Sequence, residues 1–226
     1  METALLIRPA DAATVSQCRA LVSQNDFGQL VVPGPGDGLP VIVPTHFVFL
    51  PDSDSFVLHL ARANPVFEAL AHSPRAVMSV VADWVYVPTS WGAAPGTDPR
   101  WGVPTSYYAA VQATGTVKVH GGDGENSGHD AARATADILN TQLGHFQPEA
   151  GHHRVEPGDS PYGRLLPAIV GLELKVESWR GKFKFAGNKT PEHRARIADW
   201  LAERGGPADL AAREYILDGL GGSASP

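Results

Sequence analysis

The sequence predicts an α+β domain centred on a β-barrel, with peripheral helices. Three observations carry that reading. Runs rich in β-branched and aromatic residues are separated by clusters with turn chemistry, such as "PGPGDG" at 33–38 and "PDSDS" at 51–55. Apolar residues at helical spacing fall near both ends and in the crossovers between strands. "AIVGLELKVES" (168–178) alternates Leu172, Leu174 and Val176 with Glu173, Lys175 and Glu177, the pattern of a strand with one wet face. Helices at the ends and in the crossovers of antiparallel strands fit one barrel-centred domain over residues 1–226, with C-terminal helices at about 190–220.

Each element follows from its own residues. Val15, Cys18, Leu21 and Val22 share a helical face within 10–25. Residues 28–62 read as three strands. Asn64-Pro65 then starts a short helix, Asn as the cap and Pro at the first helical position, which ends at Pro74. Residues 76–88 and 106–120 are the next strands, joined by a long loop, 89–105, with two tryptophans; loops of that length tend to be functional. A helix is expected over 128–145 and a second polar loop over 147–163. After the strand at 168–178, "GKFKFAGNK" (181–189) follows, and Thr190-Pro191 caps a helix through 204. The small, polar tail 218–226 is expected to fray.

The formal net charge of −6 and a pI near 5.8 count against binding to phosphate backbones. Nothing approaches the roughly 20 apolar residues of a membrane span, and the first residues lack the pattern of a signal peptide, so a cytoplasmic location is expected. Cys18, the one cysteine, is read as a small buried hydrophobe.

His59 is the most informative residue. It lies in the apolar run "VLHLARANP" (57–65), where alternation puts it with Val57 and Ala61 on one face and Leu58 and Leu60 on the other. A buried imidazole there needs a hydrogen-bond partner or a metal, and neutral imidazole is also a common ligand of haem iron. Arg62 can grip a phosphate or a propionate, or be an ordinary surface arginine. Lys182 and Lys184 share a strand face opposite Phe183 and Phe185, either as a solvated face or aimed at an anion or a reacting proton. Trp84, Tyr86, Trp91, Trp101, Tyr107 and Tyr108 suit either a planar cofactor pocket or the core. His46 is the second histidine of interest, and His152-His153 read as solvated. No nucleophile elbow, phosphate loop, zincin helix or paired-cysteine site is present.

The blocks "LHLARANP", "VYVPTSW", "VPTSYYAAV", "AIVGLEL" and "GKFKFAGNK", in that order over about residues 27–205, resemble the PaiB-like family, described as FMN-binding negative transcriptional regulators. The resemblance implies the split β-barrel of flavin-binding, pyridoxamine-phosphate-oxidase-like proteins, as a homodimer with the cofactor between subunits. This chain departs from the family pattern at Pro88–Gly92, Pro104–Val111 and Lys184–Lys189, changing several polar positions that could hold a flavin, while His59 and Arg62 remain. "PTSYYAAVQ" and "HFQPE" resemble the haem-dependent piperazate synthases, which close the N–N bond of L-piperazic acid from L-N5-hydroxyornithine. That likeness implies haem b with His59 as its axial ligand and Arg62 on the cofactor. On that reading Lys184 or Lys189 is the candidate base, and Ser90, Tyr107 and Tyr108 are candidate contacts of the substrate carboxylate or hydroxylamine. The competing implications are an FMN-dependent oxidoreductase with Arg62 and a lysine of 182–189 on the phosphate, a transcriptional regulator, and a haem-degrading or haem-carrying protein.

Overall fold

The computed structural model describes residues 5–36, 38–120, 128–158 and 161–221. Seven strands form one sheet: β1 (Phe27–Val32), β2 (Val41–His46), β3 (Val48–Leu50), β4 (Ser55–Ala61), β5 (Arg75–Val87), β6 (Thr105–His120) and β7 (Ile169–Lys184), in the order β2-β1-β5-β6-β7-β4-β3. Where register is defined, for β1 with β2 and β5 and for β4 with β3 and β7, the pairs are antiparallel. The α+β prediction therefore stands. The chain divides into two compact units, 22–80 with 112–179 and 1–21 with 81–111 and 180–226.

The first unit holds parts of all seven strands. β2 and β3 stand at opposite ends of the order, yet only Phe47 separates them in the chain. Six interstrand steps would set the ends of a flat sheet roughly 29 Å apart. Two residue steps reach only about 7 Å. The wall must therefore curl into a barrel. The three strands expected in 28–62 are four for the same reason, since the chain turns at Phe47, whose N–H donates to the Asp26 carbonyl at 2.9 Å. Pro44, which has no N–H for a ladder, is tolerated because β2 ends the order.

The barrel core is apolar and aromatic. Phe47, Phe56, Leu30, Leu58, Met78, Leu172 and Leu174 are fully buried, and Phe47 meets Phe56 edge to face at 5.0 Å. Glu173, Lys175 and Glu177 point away from the core while Leu172, Leu174 and Val176 enter it, as their alternation predicts.

Helix α2 (Val66–His72) begins as expected, with Asn64 Oδ1 accepting from the Val66 N–H at 3.0 Å. Two more helices precede the long crossover in chain order, α1 (Val15–Gln24) and the single turn α3 (Thr89–Gly92). The crossover helix, α4 (His129–Phe146), covers the outer side of β3 and β4, where Ile138 packs with Val48 and Val57. On its other side, Ala136 packs with Val155 and Leu166, and Asn140 exchanges two hydrogen bonds with the Val155 backbone, at 2.9 and 2.8 Å. Glycine is required beneath α4. A Cβ on Gly171 would lie 2.9 Å from Ile138 Cδ1 and 3.2 Å from Thr135 Cα, and the Gly171 N–H donates to Thr135 Oγ1 at 3.3 Å.

The second unit carries α3, the C-terminal helices α5 (Pro191–Arg204) and α6 (Pro207–Gly221), most of α1, and the remaining strand segments. Thr190 caps α5 by accepting from the His193 N–H, and Gly205 at φ 70° closes it. "GKFKF" continues β7 instead of forming a new strand, because nothing between Ser178 and Gly181 breaks the ladder. Cys18 is buried, as expected, facing Gly181, and burial pushes its thiol pKa up. Helix α6 extends to Gly221, taking in the first part of the tail expected to fray; residues 222–226 lie outside the described residues. In β5 the alternation inverts. Ala76, Met78 and Val80 are buried, then Val85 and Val87, and Asp83 between them sits at φ 54° and absorbs the extra residue. No helix among the described residues is long and apolar enough to cross a membrane.

Candidate cofactor site

His59 lies at the centre of β4 opposite Gly171 of β7. Strand alternation turns it with Val57 to the outside of the barrel, under α4, while Leu58 enters the core. The ring is half-buried, less enclosed than the apolar run suggests, because it faces a helix and not the barrel interior. Its Nδ1 lies 2.6 Å from Gln142 Oε1 of α4. A carbonyl oxygen only accepts, so the proton of a neutral His59 sits on Nδ1 and Nε2 keeps its lone pair.

His46 meets His59 edge to face with ring centroids 5.4 Å apart, and Phe146 closes on His46 at 5.2 Å. Burial, and secondarily the His59 charge, hold His46 below the usual imidazole pKa, with Asp26 opposing them. His145 Nε2 pairs with Asp26 Oδ2 at 3.1 Å beside the same group. Phe27, paired with His46 across β1 and β2, and Phe146 are exposed apolar rings on this side.

Gln142 is the residue that sequence reasoning missed. It is 3% exposed, and its Nε2 finds no hydrogen-bond partner. A buried donor left unpaired costs about 1–3 kcal/mol. The available signal was spacing: Ala131, Thr135, Ile138 and Gln142 form the inward face of α4, and an amide at such a position needs a reason.

Arg62 behaves differently. Its Nε donates to the Pro167 carbonyl at 2.8 Å and its Nη2 to Ile169 O at 3.4 Å, while its backbone N–H bonds Ala168 O. Its side chain buttresses the entry to β7 and lines a cavity of about 450 Å³ with His120, Thr135, Arg164, Leu166 and Ile169. His59 is not part of that lining.

The other expected site residues, Ser90, Tyr107, Tyr108, Lys184 and Lys189, all belong to the second unit. Lys184 Nζ donates to Thr105 Oγ1 at 2.5 Å, and Lys189 Nζ to the Gly92 carbonyl at 3.3 Å. Lys182 sits over the Tyr108 ring at 5.6 Å. On the opposite strand face Phe183 and Phe185 pack on Tyr215, so the expected division of β7 between lysines and phenylalanines holds. Tyr107 is buried and its pKa is pushed up to about 12 by desolvation; Ser90 is exposed. Trp91 stacks on Trp200 at 5.6 Å, while Trp84, Tyr86 and Trp101 are exposed. His152 and His153 lie in the polar loop, where His152 Nδ1 is 3.4 Å from the His153 carbonyl oxygen.

Residues 7–178 match the model of a family described as "putative FMN-binding domain". The chain belongs to that family. No curated protein matches the sequence. The FAD and haem binding protein of Mycobacterium smegmatis shares the fold at a TM-score of 0.57 and 19% identity, over 82% of this chain and 80% of that one. A flavocytochrome of Azotobacter vinelandii does so at 0.54 and 15%, over 76% and 69%. At these identities the likeness is one of fold, the split barrel of flavin-binding proteins, as the resemblance implied.

The donor chemistry at His59 is compatible with a haem iron. One imidazole nitrogen is held by Gln142 and the other is a Lewis base, the arrangement an axial histidine requires. Gln142 Nε2 adds a buried donor with no acceptor among the described residues.

Proposed function

We propose that the protein is a haem-dependent piperazate synthase, working in the cytoplasm as a homodimer and converting L-N5-hydroxyornithine to L-piperazic acid and water. The observation that carries the haem reading is the 2.6 Å contact of His59 Nδ1 with Gln142 Oε1, which frees Nε2 for iron. Among the described residues no cluster of three His, Cys, Asp or Glu side chains could hold a bare metal ion. Related folds support the choice, since the M. smegmatis protein binds haem as well as FAD. The piperazate reaction rests on the "PTSYYAAVQ" and "HFQPE" likeness.

Bound haem supplies a Lewis acid at iron that weakens the N–O bond of the hydroxylamine. The reaction is redox-neutral: the α-amine forms a bond to the hydroxylated nitrogen, the N–O bond breaks, and the hydroxyl leaves as water. His59 would hold the iron, and Gln142 holds His59. The ammonium must lose its proton before its nitrogen can attack, and Lys184 and Lys189 are the two candidate acceptors. Ser90, Tyr107 and Tyr108 are assigned to the substrate carboxylate and hydroxylamine, and Arg62 to the cofactor's anionic edge.

The deciding experiment is the absorption spectrum of protein expressed with haem supplied, before and after addition of L-N5-hydroxyornithine. A near-stoichiometric Soret band that shifts with substrate, with piperazate formed, supports the reading; a flavin spectrum instead returns the chain to its family's FMN description. Lys184→Met and Lys189→Met separate the bases. The variant that keeps its Soret band but loses about 10²-fold or more in kcat identifies the proton acceptor.

A further inference from the structure

We propose that Gln142 is a positioning residue for His59, fixing its tautomer and ring orientation through a neutral acceptor and so setting how strongly the histidine donates to iron. This rests on the haem reading above. The side chain is almost completely buried at 3% exposure, and its Oε1 lies 2.6 Å from His59 Nδ1 across 83 residues of sequence. The hydrogen bond is held from both sides. α4 is fixed to the barrel wall by Ile138 in the Val48–Val57 cluster, by Thr135 on the Gly171 N–H, and by a glycine that lets the helix approach. On its outer side, Asn140 ties it to Val155. Gln142 is thus delivered to His59 by a rigid element, the condition for holding a ring at a set angle.

The choice of an amide has a chemical consequence. A carboxylate in that place would draw the Nδ1 proton toward itself and give the ring imidazolate character, making it a stronger donor that favours ferric iron. An aliphatic residue would leave the proton free to move to Nε2, the atom that must bind the metal. Glutamine avoids both: it accepts from Nδ1–H and carries no charge. The same side chain leaves its own amide N–H groups unpaired, a cost that a packing role alone would not explain.

The first test needs no haem. Nitrogen-15 spectra of the histidines in the apoprotein at neutral pH should show His59 as the Nδ1–H tautomer, and Gln142→Leu should shift it toward Nε2–H. A wild-type ring found as Nε2–H overturns the proposal. The second test uses haem-loaded protein. Gln142→Leu should weaken haem retention about tenfold or more and raise the reduction potential, and Gln142→Glu should retain haem while lowering the potential. Opposite shifts from two variants are the signature a merely structural glutamine would not give. If Gln142→Leu fails to fold, the wild-type tautomer and the Gln142→Glu potential still decide. Unchanged retention and potential in both variants overturn the proposal. A wild-type protein that takes up no haem overturns the functional reading, while the apoprotein tautomer separately supports or overturns the Gln142–His59 bond.

Discussion

The middle of β4 and the turn just after it hold two residues that the sequence marks alike and the structure treats in opposite ways. His59 is fastened by a side chain on one nitrogen only, which leaves the other able to bind something else. Arg62, three residues on, directs its guanidinium onto backbone carbonyls of the segment entering β7. A donor already committed to main-chain acceptors stabilises the fold; an atom left with a lone pair is available for chemistry.

The comparison can be broken by substitution. The largest effect is expected from His59→Ala, which should abolish the Soret band at every haem concentration that saturates the wild type, and should also cost about 1–3 kcal/mol in stability by leaving the buried Gln142 amide unpaired. Full haem binding by that variant would end the ligand role. Next comes Gly171→Leu, which drives a side chain into Ile138 and Thr135. It should cost about 1–3 kcal/mol in denaturant unfolding through overpacking and weaken haem binding with it, since displacing α4 carries Gln142 off His59. Arg62→Ala should cost about 1–2 kcal/mol in stability through its lost carbonyl bonds. Haem affinity there should change less than with His59→Ala, and a loss of binding without loss of stability would make the cofactor's anionic edge the main role of Arg62.

The smallest effect is on pH. Burial holds the pKa of both His46 and His120 below the usual imidazole value, His120 with help from Lys118 and against Glu173. Between the lowered folded pKa and the unfolded value near 6.5, the unfolded chain binds more protons, so stability is fully present above about 6.5 and falls as pH drops through the folded pKa values. Unfolding midpoints measured at pH 7.5 and 5.5 should show that fall, and His120→Asn should reduce it.

Much of the fold is legible in local chemistry. Asn64 and Thr190 cap their helices as cap-then-proline pairs predict, and the alternation of 172–177 gives the wet and dry faces of β7. What pattern could not supply was closure. "VIVPTHFVFL" reads as one apolar strand, and only pairing with distant segments divides it at Phe47. The site was legible in part for the same reason. His59 stands out in its own strand, but its partner Gln142 lies on a helix whose register against β4 is set by Gly171, a contact that no local signal specifies. The inversion in β5 was hidden as well, since Asp83 looks like an ordinary polar residue until its left-handed backbone is seen.

The pairing of β4 with β7 also governs when the site can exist. Ser55 lies opposite Lys175 and Ala61 opposite Ile169, so the strand that carries His59 must wait for more than a hundred further residues before its ladder can form. Such long-range closure is slow and costly in chain entropy. During synthesis, β1 to β4 leave the ribosome as an unfinished wall, and Gln142 arrives before the strand that completes it. Whatever His59 binds therefore meets a complete site only after β7 has been made and paired with β4.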